Sequence, residues 1–334
     1  MSTSAPEGTS QNEHILPLPN NRQLHYASAG NPASTVVILF FSGYFSVGSA
    51  TTSSLPKALG EAHYIAPTIP GNGLTSSTSK GVPYHNNLCE YITALLDELH
   101  PADGSKGNAI TQLWIGGGSY GTGPAQMLFG APYAQFAYGA RISGMLVAAP
   151  FSPFKQHKEY TKSLTWPDWW LPFRLVQRLL STFMASRLKD LKGARSLLDM
   201  ALFSKMDEPE RRHLEAFARS NRGMSAEDFK KEMSESVLKC VVNWDGFLEG
   251  PDVLHSDWGF EPSQLDVDHR KAVLVVLSNS DDLGAGMGKW LVENYHKAVL
   301  KKFDGGHIAA LYHWQELWTD LVHQAGHDNP DRGS

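Results

Sequence analysis

Apolar positions along the chain follow two rhythms. The run Val36-Val-Ile-Leu-Phe-Phe41 is apolar throughout, as a strand is when a parallel sheet is covered on both faces. Shorter runs of the same kind predict strands over 63–67, 108–115, 142–149, 271–277 and 298–303. Between them the apolar residues fall three and four apart. Leu88, Ile92, Leu95, Leu96 and Leu99 predict a helix over 84–100. Further helices are expected to start at 122, to cover 286–295 and to follow over 308–323. Near the start, His14-Ile-Leu-Pro-Leu-Pro and Arg22-Gln-Leu-His-Tyr flank Asn20-Asn21 and read as a hairpin. Strands alternating with helices predict the α/β class, with a doubly wound, mostly parallel sheet.

One stretch breaks the alternation. Residues 151–265 carry helical spacing only. Asp207-Glu-Pro-Glu starts one helix with proline in its first turn, and Ser225-Ala-Glu-Asp starts another with an approximate capping box. Phe229, Met233, Val237 and Val241 then recur every four residues. An all-helical insertion in an α/β core is most simply a lid. The expected organisation is a disordered stretch over 1–12, a core over 13–150 and 266–325, a helical lid over 151–265 and a polar tail over 326–334. No internal repeat is visible.

Composition narrows the class. The 334 residues are 42% hydrophobic and 19% charged, enough for one large core and an inserted lobe. With 29 basic and 34 acidic side chains the net charge is −5, and no basic block or stripe points to nucleic acid or an anionic membrane. The first residues lack the apolar core of a signal peptide, and no apolar run approaches a membrane span. Two cysteines, Cys89 and Cys240, exclude a disulfide framework and favour a cytoplasmic address. Cys-His zinc spacing and a phosphate-binding loop are both missing, so no metal or cofactor is implied.

The chemistry gathers in the loops after the strands. Gly117-Gly118-Ser119-Tyr120-Gly121 follows Leu113-Trp114-Ile115 and precedes a helix start. Ser42-Gly43-Tyr44 follows the first long apolar strand, and Pro70-Gly71-Asn72-Gly73-Leu74-Thr75 follows the next. Ser278-Asn279-Ser280-Asp281-Asp282 follows the penultimate strand, and Gly305-Gly306-His307 follows the last. Taken in this order, the five features resemble the lidded members of the α/β-hydrolase superfamily, across the whole core on both sides of the insertion. Gly-x-Ser-x-Gly between a strand and a helix resembles that superfamily's nucleophile elbow.

The resemblance implies roles for these positions. Ser119 is the expected nucleophile, which needs a base within hydrogen-bond reach. His307 is the expected base, aimed by the two glycines before it. Asp281, four positions beyond Leu277, is the expected acid that fixes the histidine tautomer, with Asp282 as its competitor. Backbone N–H groups of Tyr120 and Tyr44 are the expected oxyanion donors, with Phe45 the fallback for the second. Ser42 stands where the superfamily often has histidine, a departure that leaves the backbone donors intact. His313, His323 and His327 are expected to be solvated.

Aromatic residues mark both ends of the insertion. Trp166, Trp169, Trp170, Trp244 and Phe247 are candidates to line an apolar substrate pocket, although a lid's own core would use the same residues. Asp245 and Glu249, set among them, are either solvated or able to bind a substrate amine. The expected function is hydrolysis of a small apolar ester, lactone or C–C bonded carbonyl substrate through an acyl-enzyme. An alternative is an aminopeptidase: Gly-Gly-Ser-Tyr-Gly-Thr over 117–122 resembles the elbow of proline iminopeptidases, whose His-Gly-Gly-Pro-Gly loop this chain lacks. A third reading is a non-catalytic ligand-binding protein on the same fold. The chain gives no sign of its oligomeric state.

Overall fold

The computed structural model describes residues 12–101, 109–163, 186–281 and 285–327, with positions 176, 179, 183 and 184. Its strands are β1 (Glu13–Leu18), β2 (Arg22–Gly30), β3 (Val36–Phe41), β4 (His63–Pro67), β5 (Gln112–Gly118), β6 (Ile142–Ala148), β7 (Ala272–Ser278) and β8 (Ala298–Phe303). They form one sheet in the order β1-β2-β4-β3-β5-β6-β7-β8. From β4 across to β8 all neighbours are parallel, and the β1–β2 hairpin closes one side antiparallel. Asn20 and Asn21, at φ of 61° and 56°, make the hairpin turn, a conformation that favours asparagine over bulkier residues.

The unbroken apolar runs are explained by burial on both faces. Val37, Leu39, Leu113, Ile115, Met145, Val147, Val273 and Val275 face one core. Ile38, Trp114, Leu146, Leu274 and Val276 alternate with them into a second core on the other face. Helices α1 (Tyr84–Leu99), α2 (Thr122–Gly130) and the later Ala285–Asn294 helix fill the first side, and a final helix over Trp314–His327 fills the second. Alternation of faces with a covered sheet is the physics of a doubly wound fold.

Two elements depart from expectation by several residues. The central strand was expected over 108–115 and runs over Gln112–Gly118. Three glycines make poor strand formers in isolation. Here β3 and β6 pair with them on both sides, and a Cβ on Gly116 would fall 2.8 Å from the Phe40 ring. The last helix, expected from 308, instead opens with a 3-10 turn over Ala309–His313 before the α-helix at 314.

Helices α3 (Leu191–Ala201), α4 (Glu208–Arg222), α5 (Ala226–Cys240) and α6 (Asp245–His255) lie between β6 and β7. The Ala285–Asn294 and Trp314–His327 helices are therefore α7 and α8. Asp207 and Ser225 cap α4 and α5 by accepting from the backbone N–H three residues on. Residues from Met184 to Phe247 build a cluster of their own around Leu198, Phe203, Leu214, Phe229 and Val237. The two ends of the stretch behave otherwise: Phe151, Phe154, Val253, Leu254 and Trp258 sit in the main core.

Side chains also tie this layer to the edge of the sheet. Glu13 on β1 accepts from Lys239 Nζ on α5 at 2.6 Å and lies 3.6 Å from His25 Nε2. Burial acts to raise the Glu13 carboxyl, but the nearby His25 ring and the hydrogen bond from Lys239 outweigh it and hold the group at about 2 against an ordinary 4.5. The unfolded chain therefore takes up this proton first as pH falls, and the stabilisation is full above about 4.5 and lost towards about 2. Glu13→Ala should cost about 1.5–3 kcal/mol in denaturant unfolding at pH 7. The gap between variant and wild type should narrow at pH 3; a gap independent of pH would show that the charge is not what matters.

Candidate active site

The end of β5 is built around a tight turn. Ser119 has φ of 52°, a left-handed conformation uncommon for a residue with a side chain. Two glycines make the turn possible by close approach. A Cβ on Gly117 would lie 2.3 Å from Gly121 O, and a Cβ on Gly121 would lie 2.2 Å from Phe41 O and 2.5 Å from Ser42 O. Thr122 fixes the turn from below. Its hydroxyl donates to Ser119 O at 2.6 Å and accepts from Phe151 N at 3.0 Å. Gln126 Nε2 then donates to the carbonyls of Thr122 and Phe151. Thr122 and Gln126 are wholly buried.

Strained backbone gathers at this edge. Phe45, after β3, has φ of 57°, and Ala149, after β6, has φ of 48°. Left-handed residues with side chains cost on the order of 1–3 kcal/mol each and persist where the surroundings enforce them. The loop after β3 lies directly on the serine: a Cβ on Gly43 would be 3.1 Å from Ser119 Cβ and 3.7 Å from its Oγ.

The loops after β7 and β8 are laced together. Asn279 N donates to Phe303 O at 2.8 Å, Ser280 N to Gly305 O at 3.0 Å, and the Asn279 side chain to Asp304 at 2.7 Å. This lacing sets Asp281 against His307. Nδ1 of His307 lies 3.0 and 3.1 Å from the two Asp281 oxygens. The Asp281 side chain is 6% exposed and that of His307 22%. With Nδ1–H donating to the carboxylate, Nε2 is the basic nitrogen. Asp282 lies outside the described residues.

Tyr44 and Tyr120 are joined by their rings, stacked at 4.0 Å between centroids. Burial pushes the Tyr120 phenol well above its ordinary range, helped by Tyr44, Tyr84 and Glu249 nearby and by a hydrogen bond with Tyr44. A buried, neutral Tyr120 side chain anchors the residue after Ser119. On its other side Tyr44 meets Phe247 of α6 edge to face at 5.8 Å, and Phe45 lies 5.1 Å from Phe247 and 6.5 Å from Trp244. Tyr44, Phe45 and Ile308, the residue after His307, all pack against the helical cluster. The loops that carry or touch Ser119 and His307 thus share one cover. Trp166, Trp169 and Trp170 lie outside the described residues.

The remaining candidates have other partners. Ser77 donates to Asp245 at 2.5 Å and Thr78 to Glu249 at 2.6 Å, pinning α6 to the loop over 76–79. Burial raises the Glu249 carboxyl, with the Thr78 hydrogen bond opposing and Asp245 adding to the rise. The glycine-rich turn after β4 serves the same junction, since Gly246 N donates to Gly71 O at 2.8 Å. Trp258 packs on α2 at Gly123, and His313 stacks on Phe303 beside Glu316. A cleft of about 260 Å³ lined by His14, Ser28, Thr52 and His63 lies at the opposite edge of the sheet. Among the described residues no group of three or more His, Cys, Asp or Glu could hold a metal, and no helix is long and apolar enough to cross a membrane.

Thr122, Gln126 and Glu210 escaped the sequence reading. Thr122 and Gln126 read as ordinary helix positions, and Glu210 as one of several acids in a helix start. Glu210 Oε1 in fact accepts from Gly306 N at 3.0 Å, beside His307. No local signal links positions 96 apart.

No protein-family model matches the chain, and no curated protein matches it by sequence. Solved structures do match. The esterase EaEST from Exiguobacterium antarcticum superposes with a TM-score of 0.59 at 14% identity, covering 93% of this chain and 98% of that one. The enol-lactonase from Burkholderia xenovorans LB400 gives 0.58 at 14% identity over 94% and 100%. A structure from a study of carboxylesterases of Nitrososphaera gargenis gives 0.57 at 15% identity over 94% and 100%. The chain has the α/β-hydrolase fold.

The turn at Ser119 makes a direct prediction. Gly121→Ala forces a methyl group into the Phe41 and Ser42 carbonyls, and should destabilise the protein by about 1–3 kcal/mol in chemical unfolding. Gly121 has φ of −60°, so the control is Gly326→Ala, also outside the left-handed region, where a Cβ meets nothing within 4 Å. Equal, small costs at both positions would contradict the close packing at the turn.

Proposed function

We propose that the protein is a serine hydrolase of small neutral apolar esters or lactones. Ser119 is the nucleophile, His307 the general base and Asp281 the residue that holds the histidine tautomer. Asp281 facing His307 Nδ1, at the edge where Ser119 makes its left-handed turn, is the observation that carries this reading. Ser119 Oγ attacks the substrate carbonyl while His307 Nε2 takes its proton. Backbone N–H groups of Tyr120 and Tyr44 stabilise the oxyanion, and the acyl-enzyme is then hydrolysed by water that His307 activates. The names of the esterase and lactonase neighbours support the ester and lactone class, which the fold shares with C–C bond hydrolysis.

The helices over 151–265 act as the lid in this reading, with Trp244 and Phe247, together with Trp166, Trp169 and Trp170, as pocket candidates. Aromatic side chains next to the loop over 43–45 favour apolar acyl groups. The aminopeptidase alternative draws no support from Asp245 and Glu249, whose carboxylates are engaged by Ser77 and Thr78. Neutral substrates are therefore favoured over free amines.

A fluorophosphonate probe should label the wild type on Ser119. Ser119→Ala should lose labelling and lower kcat/KM on a neutral ester such as p-nitrophenyl butyrate by at least about 10³-fold, with folding intact by circular dichroism. Wild-type-like turnover in the variant would end the proposal. Faster cleavage of amino-acid amides than of neutral esters would move it to the aminopeptidase.

A further inference from the structure

His307 is reached through two glycines, and glycines do not hold a side chain in one direction. Gly305 has φ of 113°. One restraint comes from the acid loop, where Ser280 N donates to Gly305 O. The other comes from the helical layer. Glu210, in the first turn of α4, is 5% exposed, and its Oε1 accepts from Gly306 N at 3.0 Å. Its carboxylate packs against the glycine pair. A Cβ on Gly306 would be 3.4 Å from both Glu210 oxygens, and one on Gly305 would be 3.4 Å from Oε1.

Burying a carboxylate is costly unless it is well hydrogen-bonded. Its position in the first turn, where Asp207 caps α4 by accepting from Glu210 N at 2.8 Å, offsets part of that cost through the helix dipole. α4 also packs on the 3-10 turn that follows His307. The glycine pair is thus held from the Asp281 side and from the lid side at once.

We infer that Glu210 is a positioning residue: by accepting from Gly306 N it fixes the turn that aims His307, so that seating α4 and aligning the base are one event. The inference rests on the hydrolase reading above. An acceptor oxygen is what the geometry requires, since the partner is a neutral backbone N–H. Glutamine can supply that oxygen, whereas alanine cannot. Aspartate keeps the charge but draws the oxygen back by one methylene.

The test compares wild type, Glu210→Gln, Glu210→Ala and Glu210→Asp in kcat and KM on p-nitrophenyl butyrate and in the rate of fluorophosphonate labelling. Rates are taken per folded molecule from circular dichroism. Misalignment of a base by a fraction of an ångström to an ångström costs up to about 100-fold, so Glu210→Ala should lose about 10- to 100-fold in kcat and in labelling rate, with KM changed by less than about threefold. Glu210→Gln should stay within about threefold of wild type. If Glu210→Ala does not fold, Glu210→Asp should show the kcat loss. A lower melting temperature with unchanged kcat in Glu210→Ala, or in Glu210→Asp where alanine does not fold, would overturn the inference. Glu210→Gln as impaired as Glu210→Ala would overturn it too. Wild type that takes no label and turns over no ester overturns the hydrolase reading itself, a result distinct from labelled wild type with an unimpaired Glu210→Ala.

Discussion

Residue 119 leaves the central strand at φ of 52°, and the surrounding backbone is packed so tightly that it has little alternative. Phe41, Ser42, Gly117 and Gly121 meet at distances that leave no room for a β-carbon on either glycine. The Thr122 hydroxyl, buried between Ser119 O and Phe151 N, closes the arrangement. The strain is borne by the sheet. β3 and β6 flank β5 with parallel ladders, and both faces of that ladder are covered by apolar cores. Local strain of this kind survives only where packing over-determines it.

The same edge carries the other loops because parallel strands all present their carboxyl ends there. Backbone hydrogen bonds between the loops after β7 and β8 do the finer positioning, and they bring a buried carboxylate to His307. The helices between β6 and β7 then contribute more than a cover. Through Phe247 they touch the Tyr44 and Phe45 loop, and through Glu210 they touch the backbone before His307. Changes in this layer are therefore coupled to the geometry beneath it.

Much of the sheet was legible because burial on both faces writes itself as uninterrupted apolar runs such as 36–41 and 272–277. Turn chemistry was legible for the same reason that it is stable: Asn20-Asn21 and the glycines around Ser119 occupy conformations or spaces that few other residues tolerate. The superfamily resemblance, counted from Leu277, pointed to Asp281, the carboxylate that faces His307. Other features were not legible. The strand passes through Gly116-Gly117-Gly118 because neighbouring strands hold it, and single-residue propensity argues the other way. Glu210 meets Gly306, Thr122 meets Phe151, and Tyr44 stacks on Tyr120 only after the chain has folded, since each pair is far apart in sequence. Trp258 lies wholly buried against α2 because α6 runs back into the main core, a placement that no local pattern shows.

The central claim is that Ser119 becomes acylated and that His307 and Asp281 serve that step. Stopped-flow mixing with p-nitrophenyl butyrate, followed by acid quenching and peptide mass analysis, tests it most directly. The account predicts a burst of p-nitrophenol approaching one equivalent of enzyme where deacylation is the slower step, with a butyryl group on Ser119 in the quenched protein. A burst with no butyryl adduct on Ser119, or an adduct on another residue in its place, would contradict it.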